Sequence, residues 1–128
     1  MDHERVQAWL DAYVRWWLVS DPVGVPVLFT PDARYLRSPY AEPLVGHAAL
    51  TDFWVADRDA TFTVATDVVA VDGQVAVARL QVDYERPQPQ QYRDLWVLRF
   101  AEDGRVSRFE EWAYFPGQPY TAKQDAGE

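Results

Sequence analysis

The sequence contains no cysteine and only two histidines, His3 and His47, among its 128 residues. The lack of cysteine excludes disulfide bonds, thiol nucleophiles and cysteine-ligated zinc, and two histidines are too few for a histidine-rich metal site. Basic residues are also scarce, since 12 Lys and Arg stand against 20 Asp and Glu and give a formal net charge of -8. Such an acidic surface repels phosphate backbones, so we expect no nucleic acid partner.

Long apolar runs are missing as well. No stretch reaches the roughly 18 apolar residues that read as a membrane-spanning helix. The N-terminus, MDHERVQAWL, has acidic residues where a secretory signal has a basic region followed by an apolar core. We therefore expect a soluble, cytoplasmic protein that has no membrane partner.

Aromatic rings, in contrast, are abundant: 6 Trp, 7 Tyr and 6 Phe make up 15% of the chain. A chain of this length forms one domain, so these rings either fill its core or line a cavity. The hydrophobic share of 48% and the charged share of 25% are those of a globular protein. We expect a single domain over residues 1–116, followed by a polar, flexible tail over residues 117–128.

Three helices are predicted in the first half of the chain. Apolar residues recur at spacings of three and four from Val6 to Trp17, which predicts a first helix that ends near Ser20. A short second helix is expected over residues 23–29, and Thr30-Pro31-Asp32 is expected to break the chain. The third helix is predicted over residues 48–58.

Strand-like segments fill the rest of the chain. A short strand is predicted over residues 33–38, and four longer strands are predicted over residues 61–71, 74–85, 92–100 and 105–115. Asp72-Gly73 and Asp103-Gly104 are the tight turns of two hairpins. The predicted fold class is therefore α+β, with helices packed on one face of a curved antiparallel sheet.

Alternation along a strand tells which residues share a face but not which face is buried. Over residues 74–85, the polar residues Arg79, Gln81 and Asp83 share a face. Both faces of the predicted sheet carry apolar residues. A sheet with a pocket on one side and a partner subunit on the other requires apolar residues on both faces. The pattern alone does not tell which face lines the pocket.

Four segments, taken in order and spacing, resemble the SnoaL-like branch of the nuclear transport factor 2 superfamily over residues 6–115. They are AYVRWWLVSD, LFTPDARYL, PLVGHAAL and LWVLRFAEDGRVSRFEEWAYF. The resemblance implies a cone-shaped curved sheet wrapped around three N-terminal helices, with an apolar pocket, in a protein that forms homodimers. Members include steroid isomerases, polyketide cyclases, dehydratases, epoxide hydrolases and binding proteins, so the fold does not fix the reaction.

The limonene epoxide hydrolase-like members carry an Arg-x-Asp pair, a second Asp and a Tyr-x-Asn pair that face the pocket. The resemblance places Arg79 and Gln81 on the first pair, Glu111 on the second Asp, and Tyr35 and Arg37 on the last pair. Because an amide does not titrate, Gln81 cannot replace a carboxylate, and Asp83 replaces it only if the pocket extends that far.

The steroid isomerases offer a second comparison. The resemblance places Tyr13 on their oxyanion-stabilising tyrosine. Their catalytic Asp precedes a proline, where this chain has Arg37-Ser38-Pro39. The base of that isomerisation is therefore missing.

The resulting candidate site combines polar groups with aromatic walls. Glu111 is the predicted base or acid, Arg79 and Gln81 would hold or polarise an oxygen, and Tyr35 would donate a hydrogen bond. The predicted ligand-binding residues are Tyr13, Trp16, Arg37, Trp54, Asp83, Arg93 and Phe109. We expect no metal and no organic cofactor. Two alternatives stay open: Arg79 and Glu111 form a structural ion pair, and Tyr13 is plain core.

Two functions follow from this set. The first is a cofactor-independent acid–base enzyme that acts on a small apolar or polycyclic molecule by cyclisation, isomerisation, dehydration or epoxide opening. The second is a binding protein of the same fold without turnover, in which Arg37, Arg79 and Arg93 would hold an anionic ligand.

A homodimer is expected through the outer face of the sheet. Large apolar residues on two neighbouring strands would form a patch there that most monomers do not expose. This set comprises Trp96, Leu98, Phe100, Trp112 and Tyr114. A second subunit related by a two-fold axis would cover it.

Overall fold

The computed structural model describes residues 1–56 and 59–118, and it confirms the α+β class. Three helices are present in this part of the chain: α1 (His3–Leu18), α2 (Gly24–Leu28) and α3 (Gly46–Val55). Asp2 begins α1 as its cap, since its carboxylate accepts a hydrogen bond from the Arg5 backbone N–H at 2.8 Å. The predicted end of the third helix at residue 58, and the predicted tail from residue 119 onward, lie outside the described residues.

Within the same described residues, six strands form one curved sheet. They are β1 (Phe29–Leu36), β2 (Leu44–Val45), β3 (Thr61–Asp72), β4 (Val75–Arg86), β5 (Gln90–Phe100) and β6 (Val106–Tyr114). Their order across the sheet is β2-β1-β6-β5-β4-β3. The antiparallel run from β3 to β6 agrees with the prediction, and Gly73 and Gly104 adopt positive φ angles of 60° and 87° at its two tight turns.

The first strand departs from the prediction in two ways. It pairs in parallel with β6, so the sheet is mixed rather than wholly antiparallel. The predicted break at Thr30-Pro31-Asp32 is wrong, because these residues lie inside β1. The pairing with β6 shifts register between Phe29 and Arg34, and such an irregularity is where a strand tolerates a proline.

The helices cover one face of the sheet, and the core lies between them. On β4 this inner face carries small and aliphatic residues, and on β5 it carries larger ones. The buried set comprises Ala76, Ala78, Leu80, Val82, Trp96, Leu98 and Phe100. Among the described residues, none of the helices has the length and apolar character needed to cross a bilayer.

This arrangement corrects the predicted outer face. Trp96, Leu98 and Phe100 were expected there but lie in the core, with 3% exposure or less. The β5–β6 register explains their position, because Leu98 lies opposite Phe109, which is fully buried. Ala78 lies opposite Trp96 on β4, and its small side chain leaves room for the indole ring. Trp112 and Tyr114 do lie on the outer face, where they are 38% and 53% exposed.

Candidate active site

A cavity of about 130 Å³ lies between helices α1 and α3 and the inner face of strands β4 to β6. Most of its wall is aromatic, and one carboxyl group enters it. The lining residues are Tyr13, Trp17, Tyr35, Phe53, Trp54, Ala56, Tyr84, Tyr92, Trp96 and Glu111. An apolar wall with few polar groups is typical of small-molecule sites.

The carboxyl group in the cavity belongs to Glu111, and that of Asp94 lies within hydrogen-bonding reach of it. The register of β5 and β6 brings them together, since Trp96 lies opposite Glu111 and Asp94 lies opposite the next inner residue, Ala113. Asp94 is 2% exposed, and its Oδ2 accepts a hydrogen bond from Trp96 Nε1 at 3.2 Å. Trp96 therefore fixes the orientation of the buried carboxylate.

The other oxygen of Asp94 reveals the protonation state of the pair. Asp94 Oδ1 is buried, and no N–H or neutral hydroxyl group of the described residues donates to it. An unsatisfied buried acceptor is costly, and a protonated Glu111 supplies the missing donor. The pKa of Glu111 is raised to about 9, chiefly by burial and in addition by the bond to Asp94 and its charge, while Trp96 and Arg37 oppose the rise.

Burial also raises the pKa of Asp94, while its bonds to Glu111 and Trp96 oppose the rise. Burial and the short distance between the two carboxyl groups therefore disfavour ionisation of both and favour a proton held on the pair.

Two tyrosines supply the second polar feature. Tyr13 Oη on α1 lies 3.0 Å from Tyr35 Oη on β1, and both residues are buried. The ring of Tyr35 stacks on Phe109 at 4.1 Å with an interplanar angle of 4°. Burial raises the pKa of both tyrosines above the usual range, so they keep their protons. Only one hydroxyl can donate within the pair, and the other keeps a proton for a different acceptor.

A positive charge lies at the rim of the cavity. The guanidinium carbon of Arg37 lies 5.3 Å from the ring centroid of Phe53, a cation–π contact, and the side chain is exposed. Within the described residues, no group of three or more His, Cys, Asp or Glu side chains could hold a metal ion.

The structure brings four predicted site residues into the cavity wall: Tyr13, Tyr35, Trp54 and Glu111. Phe109 lies behind Tyr35 as its stacking partner. Trp16 does not line the cavity but packs on Gly24, and its neighbour Trp17 is the α1 tryptophan in the wall.

Four other predicted site residues lie on the opposite face of the sheet. Arg79 is exposed and forms a 3.2 Å ion pair with Asp67, so the predicted contact with Glu111 is wrong. Gln81 Nε2 bonds to Asp83 Oδ2 at 3.3 Å on the same outer face. Arg93 is exposed there too. One alternating set of β4 residues is apolar over residues 76–82 and faces inward. The polar residues of the other set, Arg79, Gln81 and Asp83, therefore face outward.

Sequence reasoning missed Asp94, Trp96 and Tyr92. Asp94 and Tyr92 share a face of β5 with Trp96, Leu98 and Phe100. Because that face was assigned to the outside of the sheet, none of these residues was predicted to lie in the site. A signal was present: an aspartate in phase with three large apolar residues indicates a carboxyl group held inside a core, where a partner has to satisfy it.

Comparisons with known proteins agree with this fold. The SnoaL-like domain family matches residues 6–109. One similar structure is an M. tuberculosis LEH-like epoxide hydrolase, with 14% identity and a TM-score of 0.71, covering 87% of this chain and 84% of that one.

Another similar structure is SalBIII, described as an epoxide hydrolase/cyclase-like enzyme in pyran ring formation in polyether salinomycin. It has 16% identity and a TM-score of 0.73, and the match covers 88% of this chain and 93% of that one. No curated protein sequence matches the chain.

Proposed function

We propose that this chain, which belongs to the SnoaL-like domain family, is an acid–base enzyme that opens the epoxide ring of a small neutral molecule in its aromatic cavity. The observation that carries the proposal is the Asp94–Glu111 pair, which holds one proton between two carboxyl groups beside an apolar cavity. Such a pair can give a proton and take one back, which is what epoxide opening demands.

The proton balance of the reaction closes on this pair. Glu111 gives its proton to the epoxide oxygen as the C–O bond breaks. A hydroxyl group, from water or from the ligand itself, forms the new bond to carbon and returns its proton to the carboxylate pair. Water as the nucleophile yields a diol, and an internal hydroxyl yields a cyclic ether. No electrons are gained or lost in either case.

The remaining wall would bind and orient the ligand. Tyr13 and Tyr35 keep their protons, because burial raises the pKa of each. They therefore act as hydrogen-bond donors to a ligand oxygen rather than as acids. The rings of Phe53, Trp17 and Trp96 exclude bulk water, which strengthens each polar contact within the cavity.

Two further observations support the proposal. The similar structures named above are described as epoxide hydrolase or epoxide hydrolase/cyclase-like proteins. The amide of Gln81, which cannot replace a carboxylate, does not count against the proposal. Gln81 lies on the outer face, and Asp94 supplies the second carboxyl group on the inner face. A neutral ligand fits better than an anionic one, because Arg79 and Arg93 are outside and the carboxylates would repel an anion.

Turnover of small epoxides tests the proposal. Purified protein is incubated with cyclohexene oxide and with a hydroxy-epoxide, and diol or cyclic ether is quantified by gas chromatography with mass detection. Glu111→Gln and Asp94→Asn should each lower kcat/KM by about 100-fold or more, the usual contribution of general acid–base catalysis. Arg79→Met is the matched control, and it should retain wild-type turnover because Arg79 lies on the outer face.

Two results would contradict the assignment: wild-type turnover in Glu111→Gln, or no product from any epoxide that binds. The second result, combined with thermal stabilisation by the same compounds, would instead support the binding protein that the sequence allowed as its alternative.

A further inference from the structure

Trp54 carries a buried donor that the proposed reaction does not use. It lies on α3, lines the cavity and is 4% exposed. Its Nε1 forms no hydrogen bond of acceptable geometry with any described residue. A buried N–H without a well-aligned acceptor is rare in folded proteins and destabilises them, so this group is available to an acceptor that a ligand would bring.

Other indoles in the same core are satisfied. Trp9 Nε1 donates to the Leu28 carbonyl at 3.0 Å, and Trp96 Nε1 donates to Asp94 at 3.2 Å. Trp54 differs because it faces the cavity without such a partner.

The neighbours of Trp54 are donors as well. Its ring meets that of Tyr13 edge-on, with centroids 5.3 Å apart. Its N–H is close enough to the Tyr13 oxygen to favour a negative charge there. The Tyr13–Tyr35 pair keeps one O–H free for a third group. An oxygen of a ligand at this end of the cavity would thus accept from an indole N–H and a phenol O–H together.

The volume of the cavity limits the size of that ligand. An apolar cavity of about 150 Å³ in another protein holds benzene, and the cavity here measures about 130 Å³. A single six-membered ring with one oxygen has this size, so the volume favours it over the polycyclic ligands that the sequence allowed.

We propose that Trp54 is a ligand-binding residue whose indole N–H, together with the Tyr13–Tyr35 pair, binds the acceptor oxygen of a neutral, single-ring molecule of about seven non-hydrogen atoms. This inference rests on the proposed function for the choice of the cavity as the site, but it concerns binding and requires no turnover.

A pair of isosteric probes tests it. Cyclohexanone carries an acceptor oxygen, and methylenecyclohexane has the same shape without one. Dissociation constants are measured by NMR titration of the wild-type protein, Trp54→Phe and the control Trp16→Phe, which removes an α1 indole that does not line the cavity. Cyclohexanone should bind the wild type at least fivefold more tightly than methylenecyclohexane. Trp54→Phe should remove most of that preference, and Trp16→Phe should keep it.

A second measurement does not depend on any variant folding. In the wild-type protein one of the six indole N–H signals, assigned to Trp54, should move downfield with cyclohexanone and stay in place with methylenecyclohexane. Equal affinity for both probes, an equal loss of both in Trp54→Phe, or no binding of either would overturn the proposal. If no epoxide is turned over but the preference for cyclohexanone persists, the proposed reaction fails while this inference stands.

Discussion

At the residue scale, the behaviour of Glu111 depends on a neighbour that is 17 positions away along the chain. Its face on β6 is predictable from the sequence. Phe109 is two positions away and shares the inner face with Glu111, whereas Trp112 lies on the outer face. The protonation of Glu111 is not predictable from the sequence, because that property depends on the Asp94 carboxyl group and on the absence of Arg79 from the inner face. A neighbour of opposite charge lowers the pKa of a carboxyl group, as Arg37 does here without overcoming the effect of burial.

The stability of the protein should depend on pH through Glu111. Its pKa in the folded protein, about 9, lies above the ordinary value of 4.5. The folded form therefore holds the proton more tightly than the unfolded form. The resulting stabilisation is complete below pH 4.5 and is lost as the pH rises through 9, with a slope of at most about 1.4 kcal/mol per pH unit for one proton.

Glu111→Gln should flatten this dependence, because the amide can donate to Asp94 at any pH. We expect a higher melting temperature than the wild type at pH 8 and a smaller difference at pH 5, measured by circular dichroism. Glu102→Gln, at an exposed position in a turn, controls for the loss of one negative charge. A wild-type melting temperature that rises steadily from pH 5 to pH 9 would show that the Glu111 carboxyl group is ionised in the folded protein.

At the scale of the element, helix and strand positions were largely predictable, but strand faces were assigned wrongly. Periodicity finds β4 and β5 because each alternates over about ten residues. On β4 one alternating set is apolar over residues 76–82 and the other contains Arg79, Gln81 and Asp83, so the pattern favours the observed inner face. The resemblance placed Arg79 and Gln81 at the pocket and reversed that choice. The register that pairs Ala78 with Trp96 and Trp96 with Glu111 fixes the observed face.

The contact between α1 and α2 gives a prediction at this scale. Gly24 weakens α2 by its propensity, and alanine would improve it by about 1 kcal/mol. A Cβ at this position, however, would lie 2.4 Å from Trp16 Cγ and 2.6 Å from Trp16 Cβ, which is too close for either atom. Overpacking of this kind costs about 1–3 kcal/mol.

Gly24→Ala should therefore lower the free energy of unfolding, measured by urea denaturation. Adding Trp16→Ala should recover part of the loss, because it removes Cγ and Cδ1 from the contact and leaves only Cβ. Val27→Ala, at an exposed position of the same helix, should change stability by a few tenths of a kcal/mol at most. An unchanged or raised stability in Gly24→Ala would mean that Trp16 can move away.

At the scale of the whole molecule, the family and the arrangement of helices on a sheet could be inferred from the chain, and the family match agrees with them. The parallel pairing of β1 with β6 could not be predicted, because nothing local in residues 29–36 selects a strand some 75 positions away. The same applies to the cavity. It forms where helices α1 and α3 meet four strands, and its composition depends on long-range register.

The outer face of the sheet carries a smaller apolar patch than the sequence indicated. It contains Leu95, Trp112 and Tyr114, and Leu95 lies directly opposite Trp112 in the β5–β6 register. Charged groups of both signs surround these residues, including the Arg79–Asp67 pair and the Arg108–Glu110 pair. A face with both signs can meet a second copy of itself across a two-fold axis without net repulsion.

We propose that the chain forms a homodimer through this face, which the sequence had assigned to a partly different set of residues. Apolar burial around Leu95 and Trp112 would drive the association, and the net charge of -8 on each copy would oppose it. Salt weakens this repulsion, because charges more than about 8 Å apart are largely screened at 0.15 M. The dimer should therefore tighten as salt is raised from 20 to 300 mM, a range chosen to span that screening. Sedimentation velocity across micromolar concentrations measures this.

Leu95→Glu should shift the population to monomer, because it places a charge on each copy at the centre of the patch. Val19→Glu, which adds the same charge at an exposed position that follows α1, should leave the dimer intact. A wild-type protein that sediments as a monomer at every concentration and salt level would rule out the dimer. Leu95 and Trp112 would then be ordinary exposed side chains, of the kind that folded proteins carry singly on their surfaces.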